Sequence, residues 1–146
     1  MDRWRQDDVY LRLVDTDVAR PALRDAPGEF EFRMRRHEDD ALVGFVALFA
    51  IEWGNRTAQC AIGIGDAAFR GKGYGTEGLT LLLQYAFREL NLHRVGLDVI
   101  SYNQSAINLY ERLGFQLEGR RRQAVWREGR HFDRLDMGIL YDEWIK

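Results

Sequence analysis

Cysteine occurs once in this chain of 146 residues, at Cys60, and proline only twice, at Pro21 and Pro27. A single cysteine excludes an internal disulfide and favours a reducing compartment. No apolar run approaches the roughly 20 residues that a membrane helix needs. The opening Met1-Asp2-Arg3-Trp4-Arg5 is too polar for a secretory signal. The expectation is therefore a cytoplasmic chain with no membrane partner. Charge of one sign is lacking too: 21 Lys and Arg stand against 23 Asp and Glu, a formal charge of −2. That balance gives no general attraction to nucleic acid. Arg120-Arg121-Arg122 and Glu38-Asp39-Asp40 are local clusters, read most simply as solvated strand ends or turns. His37, His93 and His131 are too far apart to suggest a metal set. With no repeat, low-complexity tract or linker, residues 1–146 read as one domain.

What is present has ordinary globular proportions, 46% apolar and 30% charged. Trp4 to Leu13 mixes charge with scattered large apolar residues and reads as a short helix. Pro21 and Asp25-Ala26-Pro27-Gly28 break what precedes them. Apolar and charged residues alternate from Phe30 to Met34, the pattern of a half-buried strand. Leu42 to Glu52 is nearly continuous in apolar residues, which predicts a central strand buried on both faces and paired with its predecessor as a hairpin. Thr57 to Ile64 reads as a third strand, with Gly63 and Gly65 marking a bulge or a close approach. Leu79, Leu82, Leu83, Ala86, Phe87 and Leu90 form a helical stripe.

Val95, Leu97 and Val99 mark a strand whose position implies a β–α–β crossover with local parallel pairing. Asn103 opens a second helix that carries Ala106, Ile107, Tyr110 and Leu113 on one face and stops at Gly114. Phe115 to Leu117 resumes an extended run. After a turn at Arg127-Glu128-Gly129-Arg130, His131 to Leu140 is a final strand. The sum is an α/β domain with a mixed sheet.

The most informative stretch is Arg70-Gly71-Lys72-Gly73-Tyr74-Gly75-Thr76, where three alternating glycines and two cations precede the longest helix. Glycine permits positive φ and lets a ligand reach the amides. The following helix aims free N–H groups and its positive dipole end at the same point, so the stretch reads as a phosphate site. No Gly-x-x-x-x-Gly-Lys-Ser/Thr string occurs. A Gly-x-Gly-x-x-Gly does, at Gly73, Gly75 and Gly78, with Asp98 about 20 residues on, as in dinucleotide-binding folds. That fold puts the first glycine directly after the strand, whereas here Asp66 to Gly71 intervenes. The third template, Arg/Gln-x-x-Gly-x-Gly/Ala, is met by Arg70, Gly73 and Gly75.

With this loop the chain resembles the GNAT superfamily of acetyl-CoA-dependent N-acetyltransferases. Asn103-Gln104-Ser105-Ala106-Ile107-Asn108-Leu109-Tyr110-Glu111-Arg112-Leu113-Gly114-Phe115 is similar to the second family motif, Asn-x-x-Ala-x-x-x-Tyr-x-x-x-Gly-Phe. The resemblance covers about residues 30–140 and implies a mostly antiparallel twisted sheet, with a V-shaped splay between two central strands and flanking helices. It implies that Ile62, Gly63 and Ile64 offer backbone groups to the pantetheine arm. Arg70, Gly71, Lys72, Gly73, Tyr74 and Gly75 would hold the pyrophosphate, Asn103 would bond the cofactor arm, and Tyr110 would protonate the departing thiolate. Spacing alone leaves Asn103 a helix cap, Tyr110 a core tyrosine, and Ile62 and Ile64 core residues.

Within the superfamily, the tail from Phe115 to Leu140 resembles the ribosomal-protein alanine and spermidine acetyltransferases. The acceptor implied is a primary amine, either a protein N-terminus or a small amine or polyamine, and a homodimer is admitted. Acidic residues such as Glu29, Glu31, Glu52 and the Glu38–Asp40 turn would steer a cationic amine. Glu52, Glu31 and His131 are the candidates for a base, and Cys60 is not required as a nucleophile. The alternatives are a dinucleotide-binding redox protein and a catalytically silent coenzyme A-binding module. Family members begin with a strand and a helix that build part of the acceptor pocket. Met1 falls roughly inside that helix, so the expectation is an absent N-terminal strand or an unusually open substrate side.

Overall fold

A computed structural model describes residues 3–5, 8–13, 27–65 and 67–145. Among them, eight strands form one sheet: β1 (Arg3–Arg5), β2 (Val9–Leu13), β3 (Phe30–Arg36), β4 (Leu42–Glu52), β5 (Thr57–Ile64), β6 (Arg94–Ile100), β7 (Gln116–Arg127) and β8 (Arg130–Leu140). Their spatial order is β1-β2-β3-β4-β5-β6-β8-β7. Helix α1 (Tyr74–Gln84) continues as a π-helical turn through Tyr85–Glu89, α2 is Gln104–Arg112, and a short α3 (Tyr141–Trp144) ends the described chain.

The helix expected over Trp4–Leu13 is not formed. Its residues pair as two antiparallel strands, Arg3↔Arg12 to Arg5↔Tyr10, and β2 then pairs with β3 from Val9↔Arg36 to Leu13↔Phe32. Val9 and Leu11 are fully buried there, so burial against a distant segment overrides a weak local pattern. A strand thus stands at the N-terminal edge of the sheet. Of the breaks expected at Pro21 and at Asp25-Ala26-Pro27-Gly28, residues 21–26 lie outside the described residues, and Pro27 and Gly28 form the non-strand lead-in to β3.

β3 and β4 pair as the expected hairpin, but β4 is buried on one face only. Val43, Val46 and Leu48 are fully buried, whereas Leu42, Phe45 and Phe49 are exposed. The buried set packs with Phe32 and Met34 of β3, with Ala58 and Cys60 of β5, and with α1. Leu79, Leu82, Leu83, Ala86 and Phe87 carry the helical side of this core, as their spacing predicts. Gly78 lets α1 approach closely: a Cβ there would stand 2.6 Å from the Met34 sulfur. Its place in a dinucleotide-like string is therefore explained by helix-on-sheet packing.

β5 and β6 are the only parallel pair among the described strands, and they pair only over Thr57↔Arg94, Ala58↔Val95 and Gln59↔Gly96. Beyond that point Cys60–Ile64 and Leu97–Ile100 diverge. β5 stays paired with β4 as far as Gly44↔Ile64, and β6 with β8 as far as Ile100↔Arg134. The V-shaped splay is thus held open by complete ladders on its outer sides.

Candidate active site

Both helices begin beside the open end of the V. After β5, a single 3-10 turn (Ala67–Phe69) leads to the glycine stretch, and Gly71 and Gly73 adopt φ of 73° and 81°. Only glycine takes this left-handed conformation without strain, which is why the chain can double back into α1 here. Gly73 is the N-cap residue and no side chain caps it. The first-turn N–H groups of α1 therefore depend on solvent or a ligand. At α2 the cap is made by Asn103, whose Oδ1 accepts from the Ala106 N–H at 3.3 Å and from the Ser105 hydroxyl at 3.2 Å.

Between these helix starts and the end of β5 lies a cavity of about 600 Å³. Of the residues expected at a cofactor, Ile62, Gly63, Ile64, Arg70, Gly71, Gly73, Tyr74, Gly75, Asn103 and Tyr110 line it. Lys72 does not; it is exposed beside the loop. Phe69, Thr76, Ser105, Ala106, Leu109 and Arg112 complete the wall. Ser105, Leu109 and Arg112 recur four and three residues apart and share one side of α2, but that side is about 100° or more around the helix from Tyr110, so a wheel anchored on Tyr110 does not single them out. Phe69 had no sequence signal either. Arg70 and Arg112 are the charged side chains of the lining, and no carboxylate shares it.

Tyr110 sits 9% exposed on α2, edge-on to Phe115 with ring centroids 5.9 Å apart. Burial, with smaller contributions from Cys60 and Asp98, pushes its phenol up to about 12. It stays neutral and able to donate throughout the physiological range. Its hydroxyl makes no hydrogen bond to any described side chain or backbone group. Cys60 lies on the buried face of β5, and desolvation raises its thiol to about 12 as well. A thiol so protonated is a poor nucleophile.

The base candidates lie elsewhere. Glu52 ends β4 and accepts from the Asn55 side chain at 3.1 Å. His131 meets Trp126 edge-on at the tip of the β7–β8 hairpin, 4.7 Å between centroids. Glu31 lines a second groove of about 430 Å³, which meets the first at Gly63, Ile64 and Phe69. Asp98, the acid that suggested a ribose contact, is engaged by Arg134 at 2.7 Å and Arg121 at 3.4 Å. Gly73 also begins nine residues after β5 ends, not directly behind it.

A sheet splayed beside an uncapped glycine turn defines a class, and the sequence falls within it. Residues 4–116 match the acetyltransferase (GNAT) domain, and the chain belongs to that family. It is 35% identical over 104 residues to the spermidine N(1)-acetyltransferase of Vibrio cholerae, covering 71% of this chain and 60% of the relative. It is 34% identical over 106 residues to a Bacillus subtilis protein named, by inference, a ribosomal N-acetyltransferase (YdaF), covering 73% and 57%. The chain thus spans about three fifths of the length of these curated relatives. Among solved structures, Vibrio cholerae spermidine N-acetyltransferase in complex with CoA and spermine superposes with a TM-score of 0.76 at 32% identity, covering 82% of this chain and 69% of that one.

Proposed function

We propose that this chain is a single-domain, cytoplasmic N-acetyltransferase that moves acetyl from acetyl-CoA to a primary amine by direct attack. One observation carries the reading: a cavity with two arginines and no carboxylate joins the α1 N-terminus, the splayed edge of β5 and Tyr110. The amides from Gly71 to Gly75, with Arg70 beside them, suit a pyrophosphate. The open edge at Ile62, Gly63 and Ile64 suits the amide-bearing pantetheine arm. Asn103 uses Oδ1 for its cap, which leaves its Nδ2 to donate to that arm. Lys72 contributes at most a diffuse positive field from outside the cavity.

Acetyl transfer from a thioester to an amine needs a neutral amine, a stabilised oxyanion and a proton for the leaving thiolate. Tyr110 supplies the proton: its hydroxyl is neutral and unclaimed, and the residue lines the cavity. A main-chain N–H on the open edge of β5 serves the oxyanion. The amine attacks the carbonyl carbon, the C–S bond breaks, the thiolate takes the tyrosine proton, and the extra proton of the attacking nitrogen passes through solvent to return Tyr110 to its neutral form. No acyl-enzyme forms, in keeping with the protonated state of Cys60. The acceptor is a peptide N-terminus or a small amine or polyamine; the relatives named for ribosomal and spermidine acetylation support both. A relative described as dodecameric supports self-association.

Calorimetry with coenzyme A tests the cofactor, and thiol release against N-terminal peptides beside polyamines tests the acceptor. No heat with coenzyme A would end the reading. A nicotinamide cofactor raising the melting temperature in its place would favour the redox alternative. Tight coenzyme A binding without thiol release on any amine would leave a silent binding module.

A further inference from the structure

Two aromatic rings wall the glycine turn, Phe69 before it and Tyr74 after it, with centroids 6.2 Å apart. Both lead to one residue outside either sequence motif. Arg36, the last residue of β3, sets its guanidinium 5.0 Å from the centre of the Phe69 ring. The Tyr74 phenol stands near enough, with Asp39, to help hold the guanidinium proton. From behind, the Asp39 carboxylate holds Arg36 with two bonds, Nε to Oδ1 at 3.0 Å and Nη2 to Oδ2 at 2.7 Å. Asp39 is fixed in turn by the Ala41 N–H at 3.1 Å, and the Asp40 N–H closes the turn onto the Arg36 carbonyl at 2.8 Å.

A guanidinium can do this because its edge forks onto a carboxylate while its face stacks on a ring; an ammonium cannot do both. Arg36 does not line the cavity, and Asp39 neutralises it, so it is poorly placed to act as a phosphate ligand itself. What it fixes is the loop. A turn with two glycines is free to adopt many shapes when empty, and restraining it beforehand lowers the ordering cost of binding.

We infer that Arg36 is a positioning residue for the cofactor, clamping Phe69 and Tyr74 to the β3–β4 turn so that the amides between them stay shaped for a diphosphate. The inference rests on the acetyl-CoA reading above. The test is a double-mutant cycle on the full chain, read as coenzyme A affinity by calorimetry, with the melting temperature of the unliganded protein recorded in parallel. Arg36→Met is expected to weaken coenzyme A about tenfold and Tyr74→Phe about threefold. The double variant should lose about tenfold, not the roughly thirtyfold of independent effects, because each substitution breaks the same link. Arg36→Lys, which keeps the charge but not the fork, should recover only part of the affinity.

Wild-type affinity in Arg36→Met overturns the inference, and so does a double variant showing the full product. If Arg36→Met does not fold, Tyr74→Phe and Phe69→Leu carry the test, and unchanged affinity in both overturns it. No heat with the wild type would instead remove the acetyltransferase reading, and this inference with it.

Discussion

Tyr110 shows how far one side chain follows from its position in the sequence. Its spacing with Ala106, Ile107 and Leu113 places it on an apolar face, and the structure does bury it against Phe115. That burial is also what raises its phenol to about 12 and keeps the proton on it. Removing the hydroxyl by Tyr110→Phe should lower turnover about 100-fold while leaving coenzyme A affinity within about twofold. Unchanged turnover would take Tyr110 out of the reaction. Because the folded phenol holds its proton more tightly than an ordinary tyrosine, no loss of activity from its ionisation is expected below about pH 11. The same shift makes stability fall as pH rises from about 10 to about 12, since only the unfolded tyrosine ionises there. Cys60 gives a matching expectation: native protein should resist alkylation at neutral pH, and initial-rate kinetics should be sequential, with no acetylated enzyme detected by mass spectrometry.

At the level of elements, legibility tracked how local the cause was. The α1 stripe, the Asn103 cap and the Gly114 stop each follow from neighbours within a few residues, and each stands where its sequence predicts, Gly114 with φ 104°. The strand at Val9–Leu13 was hidden because it is buried by pairing with β3, across the chain from Val9↔Arg36 to Leu13↔Phe32. The exposed Phe45 and Phe49 misled in the opposite sense, since hydrophobicity alone does not say which face of a strand is covered. The π-helical turn at Tyr85–Glu89 continues an unbroken apolar stripe and leaves no mark in it. Arg36 was illegible for a related reason: its partners Phe69 and Tyr74 lie more than 30 residues along the chain. The glycine turn yields a direct test. Gly73→Val places a branched side chain at φ 81°, in space now open, and should cost about 1–2 kcal/mol of stability. Coenzyme A binding should be lost altogether, as read by calorimetry, because the new side chain occupies the proposed phosphate position.

Across the whole molecule, acids and bases on the C-terminal half of the sheet are largely matched. Arg94 pairs with Glu118, Arg120 with Asp133 at 2.6 Å, and Arg121 with Asp136 at 3.1 Å. Charge-matched strands offer a polycation few unengaged carboxylates, so among acceptors tested by thiol release, polyamines should lose no more activity than singly charged amines as salt is raised. The largest consequence belongs to the splay itself. Two strands that part company inside a sheet leave inward-facing rows of main-chain groups whose natural complement is another extended polyamide. A guest lying in that wedge would stand in for a missing strand and stitch the two halves of the protein together. Deuterium uptake should reveal it: with coenzyme A bound, amides in Cys60–Ile64 and Leu97–Ile100 should exchange more slowly, while the already zipped Thr57–Gln59 should hardly change.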